Sequence, residues 1–467
     1  MGSLSCLTPE EDDFSMRSSS EKKRLYHFTP SQVVAVGFLA IILLGAFLLM
    51  LPCASTTGQV TPFLDALLTA TSATCVTGLI VRDTGTYWSA FGQLILLLLI
   101  QVGGMGFISI ALLINMLRGT KIGLRQRFIM QESAGLPQMA GILRTTGLIF
   151  RCMLLFEGGG ALLLATQFIP RFGFFRGLWY AVFHSISAFC NAGFDLMGSV
   201  TPYSSMTGWV TNPIVNLVLM ALIIVGGLGF AAWADVHEQR HHLHRYRLQT
   251  KLVLTTTVVL LVFPFVFFLL YEMRQPQWQG LSVGQKVWGA LFQAVTPRTA
   301  GFNTLDYSAF SAPSLLLTIV LMLIGGSPGS TAGGIKTTTV AAIFLSVRAT
   351  LLHKGSVGAY GRRLEEPTIS RAAVLVFLYL SLFLVGGSAI CILDGVSLSS
   401  ALFESASAVG TVGLSLGLTP TLSAPSHLIL IFLMYFGRIG GLTMIYALAN
   451  PSRQSPAKMP QERVTIG

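Results

Sequence analysis

The chain has 467 residues, 52% of them hydrophobic and 10% charged, with 48 glycines and a formal net charge of +11. A soluble domain carries about 25% charged residues, so these charges are too few to cover a water-facing surface, and the mean hydropathy of +0.69 places the chain in a bilayer. Disorder, collagen, coiled coil and disulfide scaffold are excluded; channel, transporter, receptor and membrane enzyme remain.

In chain order, residues 1–30 form a polar tail with Glu10, Glu11, Asp12 and Asp13 followed by Lys22, Lys23 and Arg24. It lacks the short apolar core and cleavage site of a signal peptide. Apolar runs long enough to cross about 30 Å of hydrocarbon follow near 31–52, 90–117, 141–168, 208–236, 250–271, 313–352, 368–392 and 426–448, the sixth interrupted. Between alternate runs lie half-apolar segments near 62–76, 175–190, 282–296 and 397–409 that are too short to span, each ending in a glycine-bearing loop. These read as re-entrant helices, and non-helical backbone at membrane depth must be sheltered by protein or line a water-filled cavity.

The expected organisation is an all-α integral membrane protein of eight spans and four re-entrant pore loops around one pseudo-fourfold pore. Repeats occupy 31–117, 141–236, 250–352 and 368–448, with loops at 118–140, 237–249 and 353–367 and a tail at 449–467. Of the 30 Lys and Arg residues, 21 fall in the tails, in the loops after even-numbered spans or at the span ends that flank those loops. The positive-inside rule makes that side cytoplasmic, so both termini are expected inside and all four re-entrant loops enter from outside. The net charge is then a topology signal, and no nucleic-acid partner is expected. The six cysteines show no Cys-x-x-Cys pair and no Cys/His metal spacing, and read as small core hydrophobes.

Written together, the re-entrant segments are FLDALLTATSATCVTGL, LWYAVFHSISAFCNAGF, VWGALFQAVTPRTAGF and LSSALFESASAVGTVGL. Each is an apolar helix running into a small or polar stretch, a glycine and an apolar residue. The glycines are Gly78, Gly193, Gly301 and Gly413, spaced 115, 108 and 112 apart. Four helix C-termini aimed at one point, each carrying about −0.5 charge, favour a cation. Glycine permits the φ > 0 geometry that turns successive carbonyls toward an axis, where they replace the hydration shell of a potassium ion. The expected ladder is Val76, Thr77, Gly78; Asn191, Ala192, Gly193; Thr299, Ala300, Gly301; and Thr411, Val412, Gly413.

With TCVTGL, FCNAGFD, VTPRTAGFN, GTVGLS, GGSPGSTAGGIKTTT (325–339) and FGRIGGLT (436–443), the chain resembles the superfamily of potassium transporters that includes TrkH, KtrB and the plant HKT proteins, over residues 31–448. One span ahead of the first pore loop makes it similar to the eight-span KtrB type. The resemblance implies the potassium uptake subunit of a Ktr-like system in the plasma (inner) membrane: a homodimer with one pore per protomer, on a cytosolic KtrA-like ring of nucleotide-binding RCK subunits. K+ is the implied transported ion, Na+ a candidate activator, and nucleotide is expected on the partner, since no such domain fits the tails. Glycine at all four positions matches the potassium-selective pattern, whereas members with serine in the first loop tend toward sodium; a sodium-conducting or weakly selective relative is the alternative.

The sixth span carries Gly325, Gly326, Ser327, Gly329, Ser330, Thr331, Gly333, Gly334 and Lys336 around Pro328. Each Gly costs a helix about 1 kcal/mol and Pro about 3 relative to Ala, so the helix breaks here, in the pore just cytoplasmic of the filter. The resemblance makes this the intramembrane gating loop. It is no P-loop, because Ile335 separates Gly334 from Lys336. The Gly-Gly-x-Gly-Phe patterns at 103–107 and 226–230 read as packing between spans. Arg438, within the last span, must face the cavity or a carboxylate, or be satisfied by pore-helix carbonyls; the resemblance sets it below the filter as part of the gate. Lys336 either gates or snorkels to the cytoplasmic side.

His184 and Glu404 stand nine residues before their glycines, which suggests packing or hydrogen bonding behind the filter. Asp195 and Asp306 follow theirs, and form an acidic outer mouth or are solvated loop carboxylates. HEQRHHLHRYR (237–247) reads as a basic loop against lipid headgroups or a partner. No HExxH, GxSxG or paired intramembrane aspartate supports an enzyme. Four units entering from one side argue against an inverted-repeat transporter.

Overall fold

The computed structural model describes residues 29–106, 142–240, 242–448 and Glu462. The N-terminal tail to residue 28, the part of the second run beyond 106, the loop at 118–140, His241 and the rest of the chain beyond 448 lie outside the described residues.

Repeat one holds Pro30–Met50 (α1), Phe63–Thr74 (α2) and Ala90–Met105 (α3). Thr29 and Gln32 close a reciprocal capping box at the start of α1 with Pro30 in its first turn, so the helix is fixed where it begins. Repeat two holds Ile142–Phe172 (α4), Phe174–Phe189 (α5), Pro213–Gly227 (α6) and Phe230–Gln239 (α7). Only Gly173, with φ 82°, separates α4 from α5, and the two helices pack along each other.

Repeat three holds Leu248–Leu270 (α8), Val283–Val295 (α9), Ala312–Leu323 (α10) and Thr337–Leu351 (α11). A two-residue hairpin pairs Gly358–Ala359 with Arg362–Arg363. Repeat four holds Glu366–Asp394 (α12), Leu398–Gly410 (α13), Ala424–Ile439 (α14) and Gly441–Leu448 (α15). Left-handed Gly395 ends α12 and Ser397 caps α13, the expected stop and start signals.

One regularity runs through the repeats. The first helices, α1, α4, α8 and α12, are continuous, and among the described residues they are the four long and apolar enough to cross a membrane. The second helices are interrupted: α6 and α7 meet at 95°, α14 and α15 at 99°. Gly106, Gly229 and Gly440 take φ of 76°, 91° and 92° at the corresponding points. The runs read as single spans over 208–236 and 426–448 are therefore bent, because φ > 0 leaves the helical path and glycine alone adopts it freely.

Transfer of apolar groups from lipid to protein yields little, so helices in a bilayer cohere by close packing of small residues. Gly103 seats against the Thr74 carbonyl, Gly226 against that of Phe189 and Gly437 against that of Val409, where any Cβ would overlap. Each of those carbonyls is four residues before a pore-loop glycine, so the second helices grip the pore-helix ends. The packing read into these motifs is present at Gly103, Gly104 and Gly226, and the 226–230 motif also turns the chain.

Two apolar clusters interlock. One joins repeats one and two and takes in Phe292 and Phe302 of repeat three; the other joins repeats three and four and takes in Leu68, Cys75 and Leu79 of repeat one. Leu162, Phe377 and Ile392 are exposed on the perimeter, where lipid covers them.

Candidate functional site

The pore helices α2, α5, α9 and α13 bring the four glycines together. A Cβ built on Gly78 would lie 2.6 Å from the Ala192 carbonyl, on Gly193 2.8 Å from that of Ala300, and on Gly301 2.5 Å from that of Val412. On Gly413 it would strike the carbonyl of Thr77. Each glycine thus abuts the peptide before the glycine of the next repeat, and the fourth contact closes the circuit on the first.

The glycines take φ of 101°, 69°, 77° and 90°. Two residues earlier, Val76 (57°), Asn191 (58°), Thr299 (63°) and Thr411 (52°) are also left-handed. Alternating left- and right-handed residues turn successive carbonyls toward one side of the strand. For Val76, Thr299 and Thr411, β-branching makes that conformation costly, on the order of 1–3 kcal/mol each. Backbone bonds hold it: the N–H groups of Thr77, Ala192 and Val412 each donate to the carbonyl five residues back at 2.8 Å, and Ala300 donates to Thr296 at 3.0 Å. Ser72 and Ser407 accept the N–H of Gly78 and Gly413 at 3.0 Å. The four segments of the expected ladder therefore share the same two left-handed positions, with the third held by a backbone bond that spans four residues where the others span five.

His184 and Glu404 have the bracing geometry their common offset suggests. His184 Nδ1 pairs with the Tyr180 carbonyl at 2.7 Å and Nε2 accepts the Leu196 N–H at 3.2 Å. Glu404 accepts from the Ser415 and Thr419 hydroxyls at 2.5 and 2.8 Å and from the Leu416 N–H at 3.3 Å. Leu196 and Leu416 both stand three residues past their glycines, so each brace ties a pore helix to the strand leaving the ring.

Directly beneath lies the interruption between α10 and α11. Its ends are sewn together by a parallel bridge of Ile324 and Ile335, with Gly325 N–H on the Ile335 carbonyl at 2.9 Å. Ser327 N–H donates to Gly227 at 2.9 Å and Phe230 N–H to Gly329 at 2.8 Å. The Thr331 hydroxyl donates to the Phe189 carbonyl at 3.1 Å, Gly333 is pressed against Thr411, and Gly334 lies by the Gly410 carbonyl. Gly326 bonds the Thr337 N–H through its carbonyl at 3.0 Å, and the Ser330 hydroxyl bonds Ser327 at 2.6 Å. The loop is thus docked on the ring and on the break between α6 and α7.

Arg438 donates to the carbonyls of Thr331, Gly103 (2.5 Å) and Gly104 (2.9 Å). It therefore joins the loop to α3 and lines a cavity of about 250 Å3 shared with Phe38, Phe230, Lys336, Tyr379 and Thr443. Its carbonyl partners belong to α3 and the loop, not to a pore helix. Lys336 Nζ turns back onto the Ala332 carbonyl at 2.7 Å.

On the side where the pore helices enter, Asp195 lies near Asp83, a residue the sequence pattern does not single out. Asp83 accepts the N–H groups of Gly85 and Thr86 at 3.0 Å and of Tyr203 at 2.8 Å, pinning two loops on this side together. Asp195 is half-buried. Burial pushes its carboxyl up to about 7, the Met197 N–H at 2.9 Å opposing the rise and Asp83 adding to it. Asp306 is exposed and caps a single turn through the Ser308 N–H. Arg298, just before Thr299 in the third re-entrant segment, is 5% exposed. Beyond the rim of α7, His242 and His244 are exposed, and buried Asp235 accepts the Arg247 N–H at 2.9 Å.

The TrkH family model, described as a cation transport protein, matches residues 12–457. The chain is 38% identical over 452 residues to the potassium/sodium uptake protein NtpJ of Enterococcus hirae, covering 96% of this chain and 98% of that one. It is 40% identical over 441 residues to the Ktr system potassium uptake protein B of Bacillus subtilis, covering 94% and 97%. Among solved structures, the potassium transporter TrkH from Vibrio parahaemolyticus superposes with a TM-score of 0.65 at 22% identity, covering 89% of this chain and 85% of that one.

Proposed function

Because the chain belongs to the TrkH family of cation transport proteins, and is therefore a multi-pass membrane transporter and no enzyme, we propose that it takes up potassium through the glycine ring and is closed by the loop beneath it. The observation that carries this reading is the circuit in which each of the four glycines abuts the next repeat's carbonyl. What each glycine meets there is backbone, and backbone oxygens substitute for the water around a dehydrated cation. The four pore-helix C-termini add negative potential at the same point.

In this reading the ion enters past Asp83 and Asp195, sheds water at Val76–Gly78 and its three counterparts, and meets the 325–336 loop. Arg438 adds a positive barrier below. Bonds from Thr331, Ser327 and Arg438 hold the loop shut, so opening requires all of them to be exchanged together.

The relatives' names, Ktr system potassium uptake protein B and D, support a component of a multi-part system. We assign this chain the role of a homodimeric pore on a cytosolic RCK ring that carries the nucleotide, with both termini inside. Na+ activation belongs to the same reading. A second reading, passage of sodium as well as potassium, is favoured by the name of the E. hirae relative, potassium/sodium uptake protein.

Ion-substitution flux in liposomes separates the two: potassium and rubidium passing well ahead of sodium supports the first, and equal passage of rubidium and sodium sinks it. Deleting residues 326–334 should release the closed state while keeping selectivity. A deletion variant that stays closed refutes the gate.

A further inference from the structure

Arg298 stands three residues past the end of α9 and immediately before Thr299 of the ring. It is 5% exposed. Its Nη2 donates to the Thr257 hydroxyl of α8 at 3.3 Å, and its Nε has no partner. Among the described residues no carboxylate lies within ion-pair distance, since the ion pairs there are Arg82 with Asp65 and Arg363 with Glu366. A guanidinium buried at membrane depth against one neutral hydroxyl is costly, and nothing in the bracing or the gate uses it.

Its place explains what it does. The C-terminal ends of α2, α5 and α13 are followed by Cys75-Val76, Cys190-Asn191 and Thr411-Val412, without a cation. The end of α9 is followed by Thr296-Pro297-Arg298. The partial negative charge that α2, α5 and α13 offer the axis unopposed is, at α9, met by a cation built into the chain. We propose that Arg298 is an affinity-setting residue of the ring: its fixed charge makes the site shallower on the repeat-three side, so that a dehydrated potassium ion can leave. Conduction needs a site deep enough to fill and shallow enough to empty. The inference rests on the ring being the potassium site.

The test is equilibrium potassium binding to the purified full-length chain by titration calorimetry, with uptake KM and maximal rate measured in potassium-uptake-deficient cells. Arg298→Gln should tighten potassium binding about tenfold, the order of effect one nearby unit charge has in a partly screened interior, and lower both KM and maximal rate. Arg298→Lys should stay near wild type. Thr257→Asp leaves the arginine in place and supplies a counter-charge, and should tighten binding as Arg298→Gln does; it keeps the test alive if Arg298→Gln fails to fold. Unchanged or weakened binding in both neutralising variants overturns the inference and leaves Arg298 a structural residue. If the wild-type chain itself binds no potassium, the reading of the ring fails instead.

Discussion

At the scale of single residues, two glycines with similar backbones separate geometry from function. Gly413 (φ 90°) lies where a Cβ would strike the Thr77 carbonyl, whereas Gly417 (φ 82°) has nothing within 4 Å of such an atom. We expect Gly413→Ala to abolish selective potassium flux and Gly417→Ala to cost only about 1 kcal/mol of backbone strain with selectivity intact, read by rubidium against sodium permeation. Gly78→Ser should weaken discrimination for the same reason as Gly413→Ala. Asp195 makes a prediction in pH. With its carboxyl held up to about 7, the ionised form gains as pH rises through 7, and in the proposed reading, where the ion enters past Asp195, that negative charge concentrates cations. Flux should therefore climb from pH 6 to 8, and Asp195→Asn should flatten the climb. For stability the sign is opposite. Between the unfolded value near 4 and about 7 the native chain keeps a proton that the unfolded chain has released, so stability falls as pH rises across that window.

What the sequence discloses also divides by residue. The four glycines are legible because they recur at near-equal spacing beside similar helices. The left-handed Val76, Thr299 and Thr411 are not, since β-branched residues give no local sign of φ > 0 and are held there by bonds formed only in the folded ring. His184 and Glu404 are legible by their shared offset, but Asp83 is not, because its partner Tyr203 is 120 residues away. The partners of Arg438 are peptide oxygens as far as 335 residues off, and peptide oxygens have no side-chain signature.

At the scale of elements, the contrast lies between unbroken first helices and interrupted second ones. The break between α10 and α11 is plain in the sequence because five glycines and a proline crowd into it. The bends at Gly229 and Gly440 are hidden, since a single glycine in an apolar run serves packing as readily as turning. Gly440→Ala should straighten or strain the α14 to α15 corner and disturb Arg438 two residues earlier. We expect altered gating with unchanged selectivity, measured as flux through the purified chain in liposomes. The braces act between elements too. Glu404→Ala strands the Ser415, Thr419 and Leu416 donors, and should cost about 3 kcal/mol or more, read as a lowered unfolding midpoint in detergent, while Glu404→Gln should recover part of it.

At the scale of the whole molecule, the two apolar clusters each borrow side chains from a repeat assigned mainly to the other. Either half of the chain, made alone, would leave Phe292 and Phe302 or Leu68 and Leu79 without their seats. The glycine circuit adds a stricter condition, because it has no first or last member. Like the stones of an arch, the four loops keep one another from falling, and none can be withdrawn while the others stay. Their amide protons should accordingly exchange with deuterium as one cooperative unit at a common rate, slower than those of the outer loops.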